Sequence, residues 1–280
     1  MSSLIDVHTS NPPPRVIGFI PHSHPTLEIG YFLSGKGVYS LADKVYPIEA
    51  GDIFLFNADE RHKVTVVEED EQMRTVAVHF EARAVWEAPD ADERGDLLAP
   101  FRVRTGGCSH KYEKTMPHYA QVVKLIGEIR EAYESDEPFH ARIVKSKLVE
   151  ALVYIARDKH IESDSEPPLS KSVFPLINGA MDDIDAHFCE DIAIGEIAKK
   201  VGMSANFFTA CFKRVAGMPP KRYIGVKRVD KAIGLLRDTD CTMLDIATRC
   251  GFNSSASFNK TFLKITGRKP MEYRKAYERS

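Results

Sequence analysis

One pattern occurs twice near the carboxyl end of this 280-residue chain: IAKKVGMSANFFTACFKRVAGMPPKRY at residues 197–223 and DIATRCGFNSSASFNKTFLKITGRKPMEYR at residues 245–274. The Ile-Ala pair and the glycine after it recur 49 residues later, and beyond that glycine the offset is 50. The matched positions are Ser204 and Ser254, Phe208 and Phe258, Phe212 and Phe262, Gly217 and Gly267, Pro220 and Pro270, and Tyr223 and Tyr273. Agreement at so many positions indicates a duplicated structural unit.

Each copy predicts a short helix, a tight turn and a second helix. The first helices are predicted over 194–201 and 243–250. The glycine that follows allows a left-handed turn, and Ser204 or Ser254 then caps the next helix by accepting from its free amides. The paired phenylalanines, four residues apart, face the core. This order of elements is typical of a helix-turn-helix, whose second helix enters the major groove of DNA.

A longer helix is predicted between the two copies, at about residues 219–236. Its apolar stripe consists of Ile224, Val229, Ile233 and Leu236. A stiff connector of this kind would hold the two reading helices about one DNA turn, ~34 Å, apart on one face of the duplex.

The second helix of each copy presents polar and basic side chains that predict contacts with DNA. Asparagine can read adenine and lysine can reach guanine acceptors, while surface cations clamp phosphates without reading sequence. The predicted DNA-binding residues are Asn206, Thr209, Lys213, Arg214, Lys221, Arg222, Ser255, Asn259, Lys260, Lys264, Arg268 and Lys269. A helical hairpin can also serve protein contacts, but we expect double-stranded DNA to be the partner.

The charge distribution agrees with this prediction. The chain has a net charge of −2, but residues 173–280 carry 18 Lys and Arg against 12 Asp and Glu, which is +6. The first 172 residues carry 20 bases against 28 acids, which is −8. An acidic front and a basic back suggest that only the back meets a polyanion, although basic residues can also simply solvate helices.

The C-terminal part of the sequence resembles a known family. Residues 173–280 look like the DNA-binding domain of AraC/XylS-type transcription regulators, and the two stretches quoted above carry the resemblance. The resemblance implies a seven-helix domain whose two helix-turn-helix units read consecutive major grooves. Ala210 stands where many relatives have arginine, and Lys260 holds the matching place in the second unit. Either the second unit carries more of the base readout, or Asn206 and Thr209 compensate.

The front of the chain predicts an antiparallel β-barrel or sandwich followed by helices. Residues 15–80 contain short runs rich in Val, Ile, Tyr and Phe, separated by turn residues. From Pro117 onward the apolar residues recur with the spacing of a helix face, which predicts two helices over 117–159 that form a hairpin. We therefore predict an α+β chain of two domains: a cupin-like β-barrel with a helical hairpin at residues 1–161, a linker at 162–172, and an all-α domain with two helix-turn-helix units at 173–280.

The β-rich front also resembles the cupin barrel over roughly residues 15–80. His22, His24, Glu28 and Gly35 follow the spacing HxHxxxExxxxxxG, and His62 falls where the second cupin motif has its histidine. In metal-bearing cupins such side chains bind Zn, Fe, Mn or Ni. The alternative is that they are hydrogen-bonding groups lining a pocket for a polar ligand such as a sugar. The predicted ligand-binding residues are His22, His24, Glu28, Tyr31, Phe56 and His62, and the candidate metal ligands are His22, His24, Glu28 and His62.

Composition excludes several other classes. Hydrophobic residues make up 43% and charged residues 28%, which is typical of a soluble globular protein. The longest apolar runs fall short of the roughly 20 residues of a spanning helix, and the N-terminus has no export-signal pattern. Five cysteines without a CxxC pair predict reduced thiols in the cytoplasm. The sequence has neither a phosphate-binding loop nor a dinucleotide fingerprint.

These patterns together predict a cytoplasmic, dimeric, ligand-responsive transcription regulator that is not an enzyme. The resemblance implies activation of a nearby promoter, RNA polymerase as a partner, and dimerisation through the helices at 117–159. One alternative is a metal-dependent cupin enzyme fused to a DNA-binding tail. Another is a structural DNA-binding dimer without a ligand.

Overall fold

The computed structural model describes residues 4–11, 26–41, 44–58, 60, 62–68, 72–85, 97–102, 109–159 and 172–277. The chain forms an N-terminal β-rich domain with helices and a C-terminal all-helical domain, as predicted. Residues 15–20, the start of the region predicted to form strands, and almost all of the predicted linker at 162–172 lie outside the described residues, so the domain boundaries stay a prediction. Within the part of the chain that the structure describes, every helix is too short or too polar to span a bilayer.

Two antiparallel sheets make up the N-terminal domain. One has the strand order β1-β7-β2-β5-β8 and the other the order β4-β3-β6. The strands are β1 Ile5–Ser10, β2 Leu27–Ser34, β3 Gly37–Leu41, β4 Lys44–Ile48, β5 Ile53–Phe56, β6 His62–Val67, β7 Arg74–Phe80 and β8 Lys111–Tyr112. Strands β2 to β7 lie within residues 15–80, where the sequence predicts strands, whereas β1 and β8 lie outside that range and were not predicted.

The alternation of side chains in β2 separates two cores. Leu27 and Ile29 point to the outer face of the five-stranded sheet, where the helices pack. Phe32 points the other way, into an aromatic cluster between the two sheets that also contains Tyr39 from β3 and Phe56 from β5. Since successive residues of a strand face opposite sides, Glu28 shares the inner face with Phe32.

A helical hairpin covers the outer face of the five-stranded sheet. The helices of this domain are α1 Ala82–Val85, α2 Ala99–Arg102, α3 Tyr119–Tyr133 and α4 His140–Lys159. Val144, Leu148 and Leu152 of α4 are buried against α3 and the sheet. Ile143, although apolar, does not belong to this buried face, because it is 47% exposed. Five residues before Leu148 correspond to about 140° around the helix, whereas Val144, four residues before it, shares its face.

The C-terminal domain consists of seven helices among the described residues. They are α5 Val173–His187, α6 Ile194–Lys200, α7 Ala205–Ala216, α8 Pro220–Asp238, α9 Met243–Arg249, α10 Ser255–Thr266 and α11 Pro270–Tyr277. The predicted duplication is present: α6 and α7 form one helix-turn-helix, α9 and α10 form the other, and α8 joins them.

Local chemistry sets both turns as the sequence predicts. Gly202 and Gly251 have φ values of +71° and +81°, which residues with a Cβ rarely adopt. A Cβ on Gly251 would also stand 2.3 Å from the carbonyl oxygen of Cys189, so this position has no room for a side chain. The hydroxyl of Ser204 accepts from the amide of Phe207, and that of Ser254 accepts from the amide of Ser257. These caps fix the first turn of each second helix.

Candidate DNA-binding surface and effector pocket

Helix α7 places the first set of predicted DNA-binding residues at the surface. Phe208 and Phe212 are fully buried in the core, as the sequence predicts. Asn206 and Lys213 are exposed on the opposite side, while Thr209 and Arg214 are half-buried beside them. The buried phenylalanines fix the helix against the core. Its other side therefore presents amide, hydroxyl and cationic groups to solvent.

Helix α10 repeats this arrangement with a different set of side chains. Phe258 and Phe262 are fully buried. Asn259, Lys260 and Lys264 are exposed, and Ser255 is half-buried. The chemistry on this face includes two lysines, which can reach guanine acceptors or phosphates.

The remaining predicted phosphate contacts lie at the starts of α8 and α11. Lys221 is exposed and Arg222 half-buried in the first turn of α8. Arg268 is half-buried and Lys269 exposed just before α11, where the Lys269 amide donates to a carboxylate oxygen of Glu272 at 3.1 Å. A helix start combined with cations is a favourable place for a phosphate.

Two further cations of α8 are turned away from this surface. The Arg228 guanidinium donates to the carbonyl oxygens of Phe188 and Glu190, at 2.6 and 2.7 Å. The Lys227 ammonium lies 3.1 Å from a carboxylate oxygen of Asp185. Arg228 thus fastens the loop after α5 to α8, and Lys227 lies where the two domains contact each other.

A buried acid–base pair lies inside the β-rich domain. Nε2 of His62 is 2.9 Å from Oε2 of Glu28, and both side chains are less than a tenth exposed. Burial by itself lowers the pKa of His62, but the charge of Glu28 and contacts with Glu28 and Glu60 outweigh it, so this pKa lies above its ordinary value. The ring of Phe56 stacks on the His62 ring at 4.3 Å between centroids. The sequence-predicted residues Glu28, Phe56 and His62 are therefore brought together.

The other nitrogen of His62 is held by the turn between β5 and β6. Nδ1 lies 2.8 Å from the carbonyl oxygen of Glu60, which fixes the orientation of the ring. The Glu60 carboxylate in turn accepts from the amide of Asn57 at 2.9 Å and lies 2.5 Å from Nε2 of His110. The pair thus sits on a connected network of polar groups.

Tyr31 does not join this group, and its predicted role in ligand binding stays a prediction. It packs against the outer cluster together with Leu27 and Ile29, because residues of one parity in β2 share a face. His22 and His24 lie outside the described residues, so their predicted roles stay predictions.

The described residues do not complete a metal site. No group of three His, Cys, Asp or Glu among them is placed to hold a metal ion. Glu28 and His62 face each other at 2.9 Å, and the other two candidate ligands fall in the part of the chain that the structure leaves out. Metal binding therefore stays a prediction.

A cluster of charges joins the two domains. Arg83 of α1, whose side chain is 4% exposed, donates to Glu81 at 2.7 Å, to Asp182 at 2.5 Å and to Asp185 at 2.7 Å. Asp182 and Asp185 belong to α5 of the helical domain. The hydroxyl of Tyr223 in α8 also donates to Asp185, at 2.9 Å. Burial by itself lowers the pKa of Arg83, but the nearby carboxylates, first of all Glu81, raise it, so the guanidinium stays charged.

A second contact joins the β5–β6 turn to the first helix-turn-helix. Ala58 is buried in the core of the helical domain. Gly217 ends α7 in the left-handed conformation, and a Cβ placed on it would stand 3.7 Å from both the Ala58 Cβ and the Asn57 side-chain oxygen. The turn that holds His62 therefore also touches the end of a predicted DNA-reading helix.

Comparison with known proteins accounts for both halves of this architecture. Residues 14–152 match the family model described as the AraC-like ligand binding domain, and residues 197–276 match that of the helix-turn-helix domain. This chain is an AraC-type transcriptional regulator. The family is non-enzymatic, which agrees with the prediction that the chain is not an enzyme.

The AraC-type regulator resembles curated relatives along most of its length. It is 26% identical over 263 residues to the HTH-type transcriptional activator RhaR of Shigella dysenteriae serotype 1, covering 91% of this chain and 87% of the relative. RhaR of Escherichia coli K12 gives the same identity and coverage.

Solved structures of ToxT from Vibrio cholerae share the fold. Apo ToxT K231A superposes with a TM-score of 0.57 at 11% identity, covering 99% of this chain and 98% of that one. Wild-type ToxT with a bound unsaturated fatty acid gives a TM-score of 0.56 at 13% identity, covering 96% and 94%. The predicted fold class is therefore confirmed.

Sequence reasoning missed His79, which adjoins the acid–base pair of the AraC-type regulator. Its Nδ1 is 4.0 Å from the Glu28 carboxylate and 3.5 Å from the Thr26 hydroxyl. His79 and Glu28 are cross-strand partners in β7 and β2. Its position in the alternation of β7 places His79 on the inner face of the sheet. That His79 lies opposite Glu28, however, depends on the register between the two strands, which the sequence alone does not give.

Proposed function

We propose that this AraC-type regulator binds an operator with both helix-turn-helix units and that a small molecule bound in the β-rich domain controls that binding. The observation that carries the proposal is the duplicated unit, in which α7 and α10 have the same caps, the same buried aromatic pairs and the same terminal glycines. Helix α8 has 19 residues, a length of about 28 Å. This is close to the ~34 Å repeat of DNA, so the two units can address successive major grooves.

Two kinds of contact with DNA follow from the side chains. Base edges would be read by Asn206, Thr209, Ser255, Asn259 and Lys260. Phosphates would be held by Lys213, Arg214, Lys221, Arg222, Lys264, Arg268 and Lys269. The cations supply affinity, while the side chains on α7 and α10 supply specificity.

The effector would bind beside the Glu28–His62 pair. Burying two ionisable side chains costs free energy that their attraction need not repay, so such a pair is weak evidence for stability alone. Its position beside the aromatic ring of Phe56 offers both polar and apolar contacts. A small polar molecule such as a sugar suits this combination, because aromatic faces pack on its C–H groups and polar groups fix its orientation.

The two chain segments that follow residues of this site, after Phe56 and after His79, both contact the helical domain. Phe56 is followed by Asn57 and Ala58, which touch the end of α7. His79 is followed within four residues by Arg83, which pairs with Glu81 and contacts Asp185 of α5. A ligand that favours one arrangement of these segments would bias the position of the first helix-turn-helix.

Activation and partners are also part of the proposal. The RhaR relatives are described as transcriptional activators, which supports activation here, with RNA polymerase as the partner at the promoter. We expect the chain to act in the cytoplasm, where its DNA target lies.

We expect a dimer through the hairpin of α3 and α4. Phe139, immediately before α4, and Ile143, in its first turn, lie four residues apart and are 73% and 47% exposed. Phe139 also has a φ of +68°, which is costly for a residue with a Cβ. This exposed apolar pair is suited to pack against the same pair in a second copy of the chain, as in a two-fold symmetric dimer. Sedimentation should show a dimer that Ile143→Lys weakens, and a monomer at all concentrations would contradict this expectation.

DNA binding is tested by selection from a random duplex library with the full-length chain. The proposal predicts one enriched sequence with two half-sites about 10 base pairs apart. Enrichment of a single short site, or of none, would overturn it.

Effector binding is tested by thermal unfolding in the presence of sugars, other small polar molecules and fatty acids. A ligand at 100 times its Kd should stabilise the chain by about 2.7 kcal/mol. Glu28→Gln should abolish the shift, and Glu49→Gln, which changes a carboxylate that is 59% exposed, should leave it intact. If the ligand still stabilises the Glu28→Gln variant, the effector does not bind beside Glu28. Metal analysis of the purified protein separates a metal-bearing pocket from a metal-free one.

A further inference from the structure

The first turn of α7 carries a large aromatic side chain that the core does not use. Phe207 is 52% exposed, whereas Phe208 and Phe212 of the same helix are fully buried. The amide of Phe207 donates to the Ser204 hydroxyl at 3.3 Å, which anchors its backbone at the helix start. The ring is therefore held at the solvent side of a fixed turn.

The position of this ring distinguishes it from an ordinary exposed apolar residue. Single exposed apolar side chains are common and need no explanation. In a helix-turn-helix, however, the N-terminal residues of the second helix are the ones that reach base edges. Ala210 is also exposed and lies three residues later, so it extends the apolar surface of Phe207 along the same side of α7.

The second unit provides an internal comparison. With the offset of 50 residues, Phe207 corresponds to Ser257 and Ala210 corresponds to Lys260. Both corresponding side chains are exposed. Since the helices have equivalent caps and equivalent cores, the difference lies in the chemistry presented to DNA: an apolar surface on α7 and a hydroxyl with a cation on α10.

We propose that Phe207, extended by Ala210, recognises the C5 methyl groups of thymine in the half-site that the first unit reads. Thymine is the base that presents a methyl group in the major groove, and a phenyl ring, which has no hydrogen-bonding group, gains from covering it. Lys260 at the matching place favours guanine acceptors instead. The two half-sites should therefore differ, one with thymines at the contacted positions and the other with guanine. This inference rests on the proposed DNA-binding function.

The test uses duplexes of the sequence that the full-length chain selects. Uracil replaces thymine at one position at a time, which removes only the methyl group, and affinity is measured by fluorescence anisotropy. The half-site in which Lys260→Ala changes the selected bases is assigned to the second unit, and the other half-site to the first. In the first half-site, at least one replacement should weaken wild-type binding about fourfold, the equivalent of one buried methyl group. Phe207→Ser, which copies the residue of the second unit, should bind both duplexes equally.

Controls separate the outcomes. Leu244→Ala removes an apolar side chain that is 62% exposed on α9, and it should keep the full penalty for uracil. Circular dichroism melting should show that Phe207→Ser keeps the stability of the parent, since its ring is half outside the core. Equal uracil penalties in wild type and Phe207→Ser, or a first half-site without thymine, would overturn the inference and leave DNA binding standing. Failure to select any sequence would overturn the proposed function and this inference together.

Discussion

The guanidinium of Arg83, in the β-rich domain, donates at 2.7 Å to the carboxylate of Asp185, in α5 of the helical domain. Glu81 and Lys227 complete the surroundings of this bond. Because the Arg83 side chain is only 4% exposed, the bond is shielded from solvent and fixes how the domains meet. It joins α1, which directly follows the strand that carries His79, to the first helix of the DNA-binding half.

Replacing Arg83 should destabilise the whole chain. Arg83→Met keeps an apolar stem but leaves the buried Glu81 carboxylate without its guanidinium, and we expect the free energy of unfolding to fall by about 3 kcal/mol. Asp182→Asn is the matched control: its carboxylate also contacts Arg83 but is 65% exposed, so the decrease should stay below about 1 kcal/mol. Urea unfolding followed by circular dichroism measures both. Equal decreases would show that the buried contacts add nothing beyond the exposed one.

Lys260→Ala should weaken specific DNA binding by about 1–3 kcal/mol and relax the preference at one base position. The reason is its exposed place on α10, away from the buried Phe258 and Phe262. Fluorescence anisotropy on the selected operator measures the change. Lys145→Ala, an exposed lysine of α4, should leave affinity unchanged. An unaltered affinity for Lys260→Ala would remove this residue from the reading surface.

Replacing Arg268 and Lys269 with alanine should flatten the salt dependence of DNA binding. A cation that neutralises one phosphate of duplex DNA contributes about 0.9 to the steepness of log K against log salt, so its removal reduces the slope by that amount. Anisotropy titrations between about 50 and 200 mM salt give the slope. A parental slope in the double variant would show that neither cation binds a phosphate.

Asp158 should make the stability of the β-rich domain depend on pH. Its carboxylate accepts from the Tyr112 hydroxyl, and from the His118 amide and ring at 2.9 and 2.6 Å. Burial raises the pKa of Asp158, but the hydrogen bonds from Tyr112 and His118 outweigh it and bring the pKa below its ordinary value. The stabilisation is therefore complete above the unfolded-state pKa of about 3.9 and is lost as the pH falls through the lower folded-state value.

Asp158→Asn tests this linkage. The variant should be less stable than wild type by about 2 kcal/mol at pH 7, and the gap should close as the pH falls below about 4. Urea unfolding at several pH values measures the gap, with Asp136→Asn, an exposed carboxylate, as the control. A gap that does not change with pH would contradict the lowered pKa of Asp158.

The helical half could be predicted from the sequence because its signals are local. A glycine at a left-handed turn, a serine cap two residues later and aromatics four residues apart each specify backbone or packing within one element. Gly202, Ser204, Phe208 and Phe212 all behave as these rules require. The duplication then doubled the number of independent signals.

The contacts between the two domains could not be predicted, because the residues that make them are far apart in sequence. Arg83 and Asp182 are separated by 99 residues, and nothing in either local sequence indicates the other. The pairing of His79 with Glu28 likewise depends on strand register, which a single sequence leaves open. Strand β1 escaped prediction because half of its six residues are exposed and polar, so its apolar alternation is short.

Hydroxyl-radical footprinting of the full-length chain on its selected DNA tests the central claim most directly. Two helix-turn-helix units joined by α8 should protect two neighbouring segments on one face of the duplex, centred about 10 base pairs apart. Lys260→Ala should weaken protection in one of the two segments. Protection confined to a single turn of the duplex, or no protection at all, would contradict the account.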